Sequence, residues 1–151
     1  MAIANSTGND LLALAGRFLF ASLFVASGVN KLFWPLATIE YVRTFRLPAP
    51  LLWCIGSMLL ELACAALLVF GYRTRVAAWI LAAYCVSTAA IFHHAFADQN
   101  QLIQFLTNLA MAGGLLALSI YGAGLFSIDR LIGDGHVEIT SNYAQITPSD
   151  S

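Results

Sequence analysis

Two histidines and three amides stand close together in an otherwise apolar stretch of the chain. His93 and His94 end one greasy run, and Gln101, Gln104 and Asn108 open the next, within IFHHAFADQNQLIQFLTNLAMAGG from Ile91 to Gly114. Side chains of these types donate to carbonyl oxygens, and a neutral imidazole can relay a proton. Asn30 and Lys31, at the end of an earlier apolar run, are of the same kind. Two more ionisable groups, Arg17 and Glu61, lie inside apolar runs. There a charge is costly, so it belongs either to a buried ion pair or to a proton site. No motif of known chemistry ties these residues to one reaction.

The elements that must position them follow from composition. Of 151 residues, 60% are hydrophobic and 10% charged, against about 25% charged in a soluble domain. Mean hydropathy is +0.78. So few charges cannot solvate a surface of this size, and the natural solvent is the lipid bilayer. A net charge of −1 leaves no footprint for nucleic acid.

Four runs approach the ~20 residues that a helix needs to cross hydrocarbon: Leu11 to Leu32, Leu51 to Phe70, Val76 to Ala97 and Gln101 to Tyr121. Between the first two, Trp34 to Pro50 repeats apolar residues every three positions (Leu36, Ile39, Val42, Phe45) among Glu40, Arg43 and Arg46. That pattern suits a short helix lying in the interface. The expected fold is all-α, a polytopic membrane protein with four transmembrane helices in an antiparallel bundle plus that short interfacial helix. Residues 1–10 form an N-terminal polar segment, 11–131 the membrane domain, and 132–151 a polar C-terminal tail. No cleavable leader is expected, because Met1 to Asp10 carries no positive charge.

Helical spacing assigns faces. Arg17, Ala21, Phe24, Gly28 and Lys31 share one face of the first span, and both charges must point inward. Cys54, Ser57, Glu61, Cys64 and Leu68 share one face of the second, and Ala82, Cys85, Ala89 and His93 one face of the third. With antiparallel helices, Arg17 falls about one turn from the level of Glu61. The pair is then a structural salt bridge fixing register, unless Glu61 carries a proton or is a hydrogen-bonded neutral acid. In the opposite half, Lys31, His93, Gln104 and Asn108 come to similar depth. They form either a ligand-binding site or a set of helix-end groups that satisfy one another. No metal is expected, since adjacent histidines on a helix point about 100° apart and no thiolate or carboxylate stands at ligand spacing. The three cysteines form no C-x-x-C and read as small apolar fillers. Gly113-Gly114 reads as a close-packing notch. Arg73, Arg75 and Arg130 on one side balance Lys31, Arg43 and Arg46 on the other, so charge does not fix orientation.

Taken in order, the chain resembles the DoxX family of small bacterial membrane proteins. The matching residues are Ser27 to Leu32 followed by Pro35, then Tyr41, Leu47-Pro48, Glu61, Gly71 with Thr74-Arg75, and Phe92-His93. Phe105 to Ala110 leading to Gly113-Gly114, and Gly122-Ala123-Gly124 with Ser127-Ile128-Asp129, complete the set. The chain departs from the pattern at Thr107, where the family commonly has lysine. The resemblance implies four membrane helices in the bacterial inner membrane, both termini cytoplasmic. It also implies an association with redox biology, since relatives include the membrane subunit of a thiosulfate:quinone oxidoreductase. The expectation is therefore a membrane subunit of a quinone- or thiol/sulfur-linked redox system, with a quinone or another small solute as the ligand and a soluble redox or maturation protein as partner. The alternative is a non-enzymatic scaffold for such a partner, and after that a small-solute transporter. Self-association into a homo-oligomer stays open.

Overall fold

In lipid the backbone must satisfy its polar groups internally, and long apolar runs do so as helices. The computed structural model, which describes residues 2–132, has no strand among the described residues. Its helices are α1 (Ala2–Phe33), α2 (Pro35–Thr44), α3 (Pro50–Phe70), α4 (Thr74–Phe92) and α5 (Gln99–Tyr121). Four segments are long and apolar enough to cross a membrane: Asp10–Phe33, Pro50–Phe70, Thr74–Phe92 and Gln99–Tyr121. The short α2 lies between the first two spans. Pro35 and Pro50 each stand at the start of a helix, where the missing N–H is no loss.

Two boundaries differ from the sequence reading. Helix α1 already begins at Ala2, so the polar segment ahead of the first span is itself helical. The third span stops at Phe92, five residues short of Ala97. The His93 N–H still donates to Ala89 O at 3.0 Å, but the residue itself turns out of the helix at φ −127. Asp98 then caps α5 by accepting from the Asn100 N–H at 2.9 Å. The histidines thus sit in a turn and not on a helix.

The bundle is two close pairs, α1 against α3 and α4 against α5, joined along a looser seam. Small side chains let the helices approach. Ala21, Cys64, Ala65, Ala77, Ala78, Ala82, Cys85 and Ala112 are buried with Phe24, Leu68, Leu81 and Leu115 between them. The three cysteines are free and buried. A Cβ on Gly28 would come within 2.7 Å of Leu62, and one on Gly114 within 2.6 Å of Phe20, whereas one on Gly113 would meet nothing. Only the second glycine of the pair is therefore a notch.

At the end of the bundle holding the α3–α4 turn, the chain beyond α5 folds back. Asp129, to which the sequence gives no partner, accepts from the Arg73 and Thr74 N–H groups at 2.7 and 2.9 Å. It caps α4 from 55 residues away, and its own N–H donates to Gly71 O at 2.9 Å. The rest of the predicted tail, beyond residue 132, lies outside the described residues.

Candidate functional site

Polar side chains on apolar helices cannot face lipid cheaply, so they gather where the two helix pairs meet. A cavity of about 380 Å³ opens there, roofed by Thr38, Tyr41 and Val42 of α2. At its floor is a buried ion pair. Lys31 Nζ donates to both oxygens of Glu61, at 2.8 and 2.7 Å. The carboxylate also accepts from Tyr84 Oη at 2.6 Å and Ser27 Oγ at 3.2 Å, and Lys31 donates in addition to Ser27 Oγ at 2.7 Å. Side-chain exposure is 3% for Glu61 and 14% for Lys31, so the lysine is the member of the pair that faces the cavity.

The expected Arg17–Glu61 pair does not form. Arg17 is buried, but its Nη2 donates to Phe126 O at 2.6 Å, at the far end of the bundle. Its guanidinium packs against Gly71, whose left-handed backbone (φ +65) and lack of a Cβ make the room. The reason is the tilt of side chains toward the N-terminus of their own helix. Arg17 therefore leans away from Glu61, while Lys31 leans down toward it. Glu61, on the antiparallel α3, leans up to meet the lysine.

The cavity gathers the other predicted ligand residues as well. His93, Gln104 and Asn108 line it beside Lys31. His93 Nδ1 pairs with Gln101 Oε1 at 3.0 Å, which holds the ring in place. Asn108 Nδ2 donates to Gln104 O at 2.9 Å. Asn30 and His94 stay outside the lining: Asn30 is exposed, and the His94 ring lies against Phe45 with centroids 6.1 Å apart. Thr107, at the position of the family's lysine, faces the cavity and donates to Ile103 O at 2.8 Å.

Sequence reasoning missed Tyr84, Ser27 as a partner, and Thr88. The face chosen for α4, through Ala82, Cys85 and Ala89, is the tightly packed one. Tyr84 and Thr88, one turn apart, mark the neighbouring polar stripe. Their i, i+4 spacing was the available signal.

Chemically, the site offers a carboxylate, an ammonium, two phenols, an imidazole, two amides and several serine and threonine hydroxyls in a hollow with aromatic walls from Tyr41, Trp53 and Phe92. Such a lining suits a flat, amphiphilic molecule with carbonyl oxygens.

The model of the DoxX family matches residues 12–94, a stretch that includes Lys31, Glu61, Tyr84 and His93. The chain belongs to the DoxX family. It is similar to the inner membrane protein YqjF of Escherichia coli (strain K12), 34% identical over 123 residues that cover 82% of this chain and 93% of that protein. It is also similar to the inner membrane protein YphA of the same strain, 32% identical over 125 residues covering 80% and 89%. No solved structure matches this DoxX-family chain significantly. With four spans and relatives of this kind, it is a multi-pass inner membrane protein.

Proposed function

We propose that this protein is the membrane subunit of a redox system and binds a quinone head group in the cavity between its helix pairs. The observation that carries the reading is the convergence of Lys31, Glu61 and Tyr84 on one apolar hollow that also exposes His93, Gln104 and Asn108. A quinone becomes a quinol by taking two electrons and two protons. In this reading Asn108, whose amide has one N–H beyond that given to Gln104 O, donates to a ring carbonyl, while Lys31, with its three N–H groups on Glu61 and Ser27, fixes the carboxylate beside the ring. Tyr84, Glu61 and His93 are groups that store and pass protons. The electrons, in this reading, come from a soluble redox protein docked on the membrane face.

Orientation follows the same reading. Lys31 is engaged inside the membrane, so only Arg43 and Arg46 count on the α2 side, against Arg73, Arg75 and Arg130 on the other. The positive-inside bias then supports cytoplasmic termini, and a C-terminal alkaline phosphatase fusion should be inactive.

The decisive experiment is mass spectrometry of small molecules co-extracted with the gently purified protein. A quinone enriched over bulk lipid, and lost in Asn108→Leu and His93→Ala, supports the proposal. An empty bundle that holds a stable soluble protein replaces it with the scaffold reading.

A further inference from the structure

A second hollow, a groove of about 460 Å³, lies on the lipid side of the α3–α4 seam. It runs along α3 past Leu52, Trp53, Gly56, Ser57 and Leu60 and ends at Tyr84 of α4. Leu52 is 69% exposed, and a Cβ on Gly56 would meet no protein atom within 4 Å. The groove is therefore open to hydrocarbon along its length. Its inner wall is shared, because Trp53, Ser57 and Tyr84 line both the groove and the cavity. The Tyr84 hydroxyl in that wall is the one that donates to Glu61. Trp53 is held at the mouth by its Nε1 donating to Pro48 O at 3.1 Å.

We propose that this groove carries the hydrocarbon tail of a lipid-borne quinone whose ring occupies the cavity, so that the ligand enters sideways from the bilayer. The inference rests on the cavity being a ring-binding site. Three features favour this occupant. Polarity falls from the ion pair, through Tyr84 and Ser57, to Leu52 and Leu60, in the order of a ligand with a polar head and an apolar tail. From Leu52 to Leu60 the groove follows α3 for about 12 Å, a little under half the ~30 Å hydrocarbon thickness, and it lies open to lipid along that length. The α2 roof covers the alternative exit. An alkyl chain in the groove exchanges lipid for side chains of equal polarity, so the groove need supply no binding energy. It only has to be unobstructed.

That gives a steric test. Gly56→Phe fills the groove from a position where nothing stands in its way, and exposed Leu52→Trp does so independently should the first variant not yield monodisperse helical protein. Binding to the full-length protein in lipid nanodiscs would be followed by tryptophan quenching. The probes are a tetramethyl benzoquinone without a tail and a benzoquinone with a decyl tail. The expected result is a loss of about tenfold or more for the tailed ring, the cost of forcing atoms into a filled space, with the tailless ring unchanged. Unchanged binding of both rings, or equal loss of both, overturns the tail route while the ring site stands. Failure of either ring to bind the wild-type protein overturns the inference together with the reading beneath it. A change of oligomeric mass in Gly56→Phe with ring binding intact assigns the groove to a second copy of the chain and likewise overturns it.

Discussion

Removing Lys31 and Glu61 together should harm the bundle less than removing either alone. At 2.7 Å the pair attracts by roughly 6 kcal/mol with an effective dielectric near 20. Taking two ions out of water costs several kcal/mol each, so the pair as a whole is close to neutral for stability. A single substitution strands one charge. Lys31→Met leaves a carboxylate with only Tyr84 and Ser27 to donate to it, at a cost of about 3–5 kcal/mol. Glu61→Leu leaves an ammonium two residues from the end of α1, able to snorkel outward, at about 2.5–3.5 kcal/mol or less. The double variant leaves only unpaired hydroxyls of Tyr84 and Ser27, about 1–3 kcal/mol in all. The singles therefore sum to about 5.5–8.5 kcal/mol against at most about 3 for the double, a coupling of about 2.5 kcal/mol or more. Reversible denaturation in mixed micelles, read by tryptophan fluorescence, measures each corner of the cycle. Additive losses, or singles within about 0.5 kcal/mol of wild type, would refute the buried-pair reasoning. Ring binding should vanish in the double variant although its fold persists, which separates the pair's role in the site from its role in stability.

Two further outcomes test the frame around the site. Asp129→Ala removes both side-chain acceptors of the α4 N-terminus and should cost about 1–2 kcal/mol, with faster hydrogen exchange at the Arg73 and Thr74 amides and no change in ring binding; unaltered exchange would show that the cap is dispensable. Gly114→Leu, which runs into Phe20, should destabilise by about 1–3 kcal/mol, while Gly113→Leu, facing open space, should be close to neutral; equal effects would refute the assignment of the notch to the second glycine alone.

Much of this arrangement was legible in the sequence because lipid is an unforgiving solvent. The inward face of α1 follows from Arg17 and Lys31 alone, and burial of Arg17, Ala21 and Phe24 agrees with it. The convergence of Lys31, His93, Gln104 and Asn108 follows from counting depth along antiparallel spans. Spacing could not supply the direction in which a side chain leans, and that vector decided which cation meets Glu61. Nor could it show that Arg17 serves a backbone carbonyl at Phe126, since a carbonyl leaves no mark in the residue pattern. Asp129 escaped for a related reason. A cap that acts across 55 residues looks, in the sequence, like one more polar residue after the last span. The end of α4 was misplaced because His93 to Ala97 contains no proline or glycine to stop a helix; His93 instead leaves the helix and pairs with Gln101 of α5.

The position of the cavity follows from the same physics as the fold. The Lys31–Glu61 ion pair joins α1 to α3 within one helix pair. Facing outward, a polar side chain would meet hydrocarbon. On the side of the α1–α3 pair turned toward α4, ionisable groups are both sheltered and partnered: Lys31 and Glu61 meet there, and Tyr84 reaches Glu61 across the seam between the pairs. The gap beside them is the cavity, whose wall residues Trp53, Ser57 and Tyr84 also line the groove along α3. Replacing these polar residues by apolar ones would let the seam close, yielding a bundle at least as well packed and without a site. The ion pair is thus poorly explained as a device for stability, its net contribution being near zero. It is well explained as the feature that keeps a polar hollow inside a membrane.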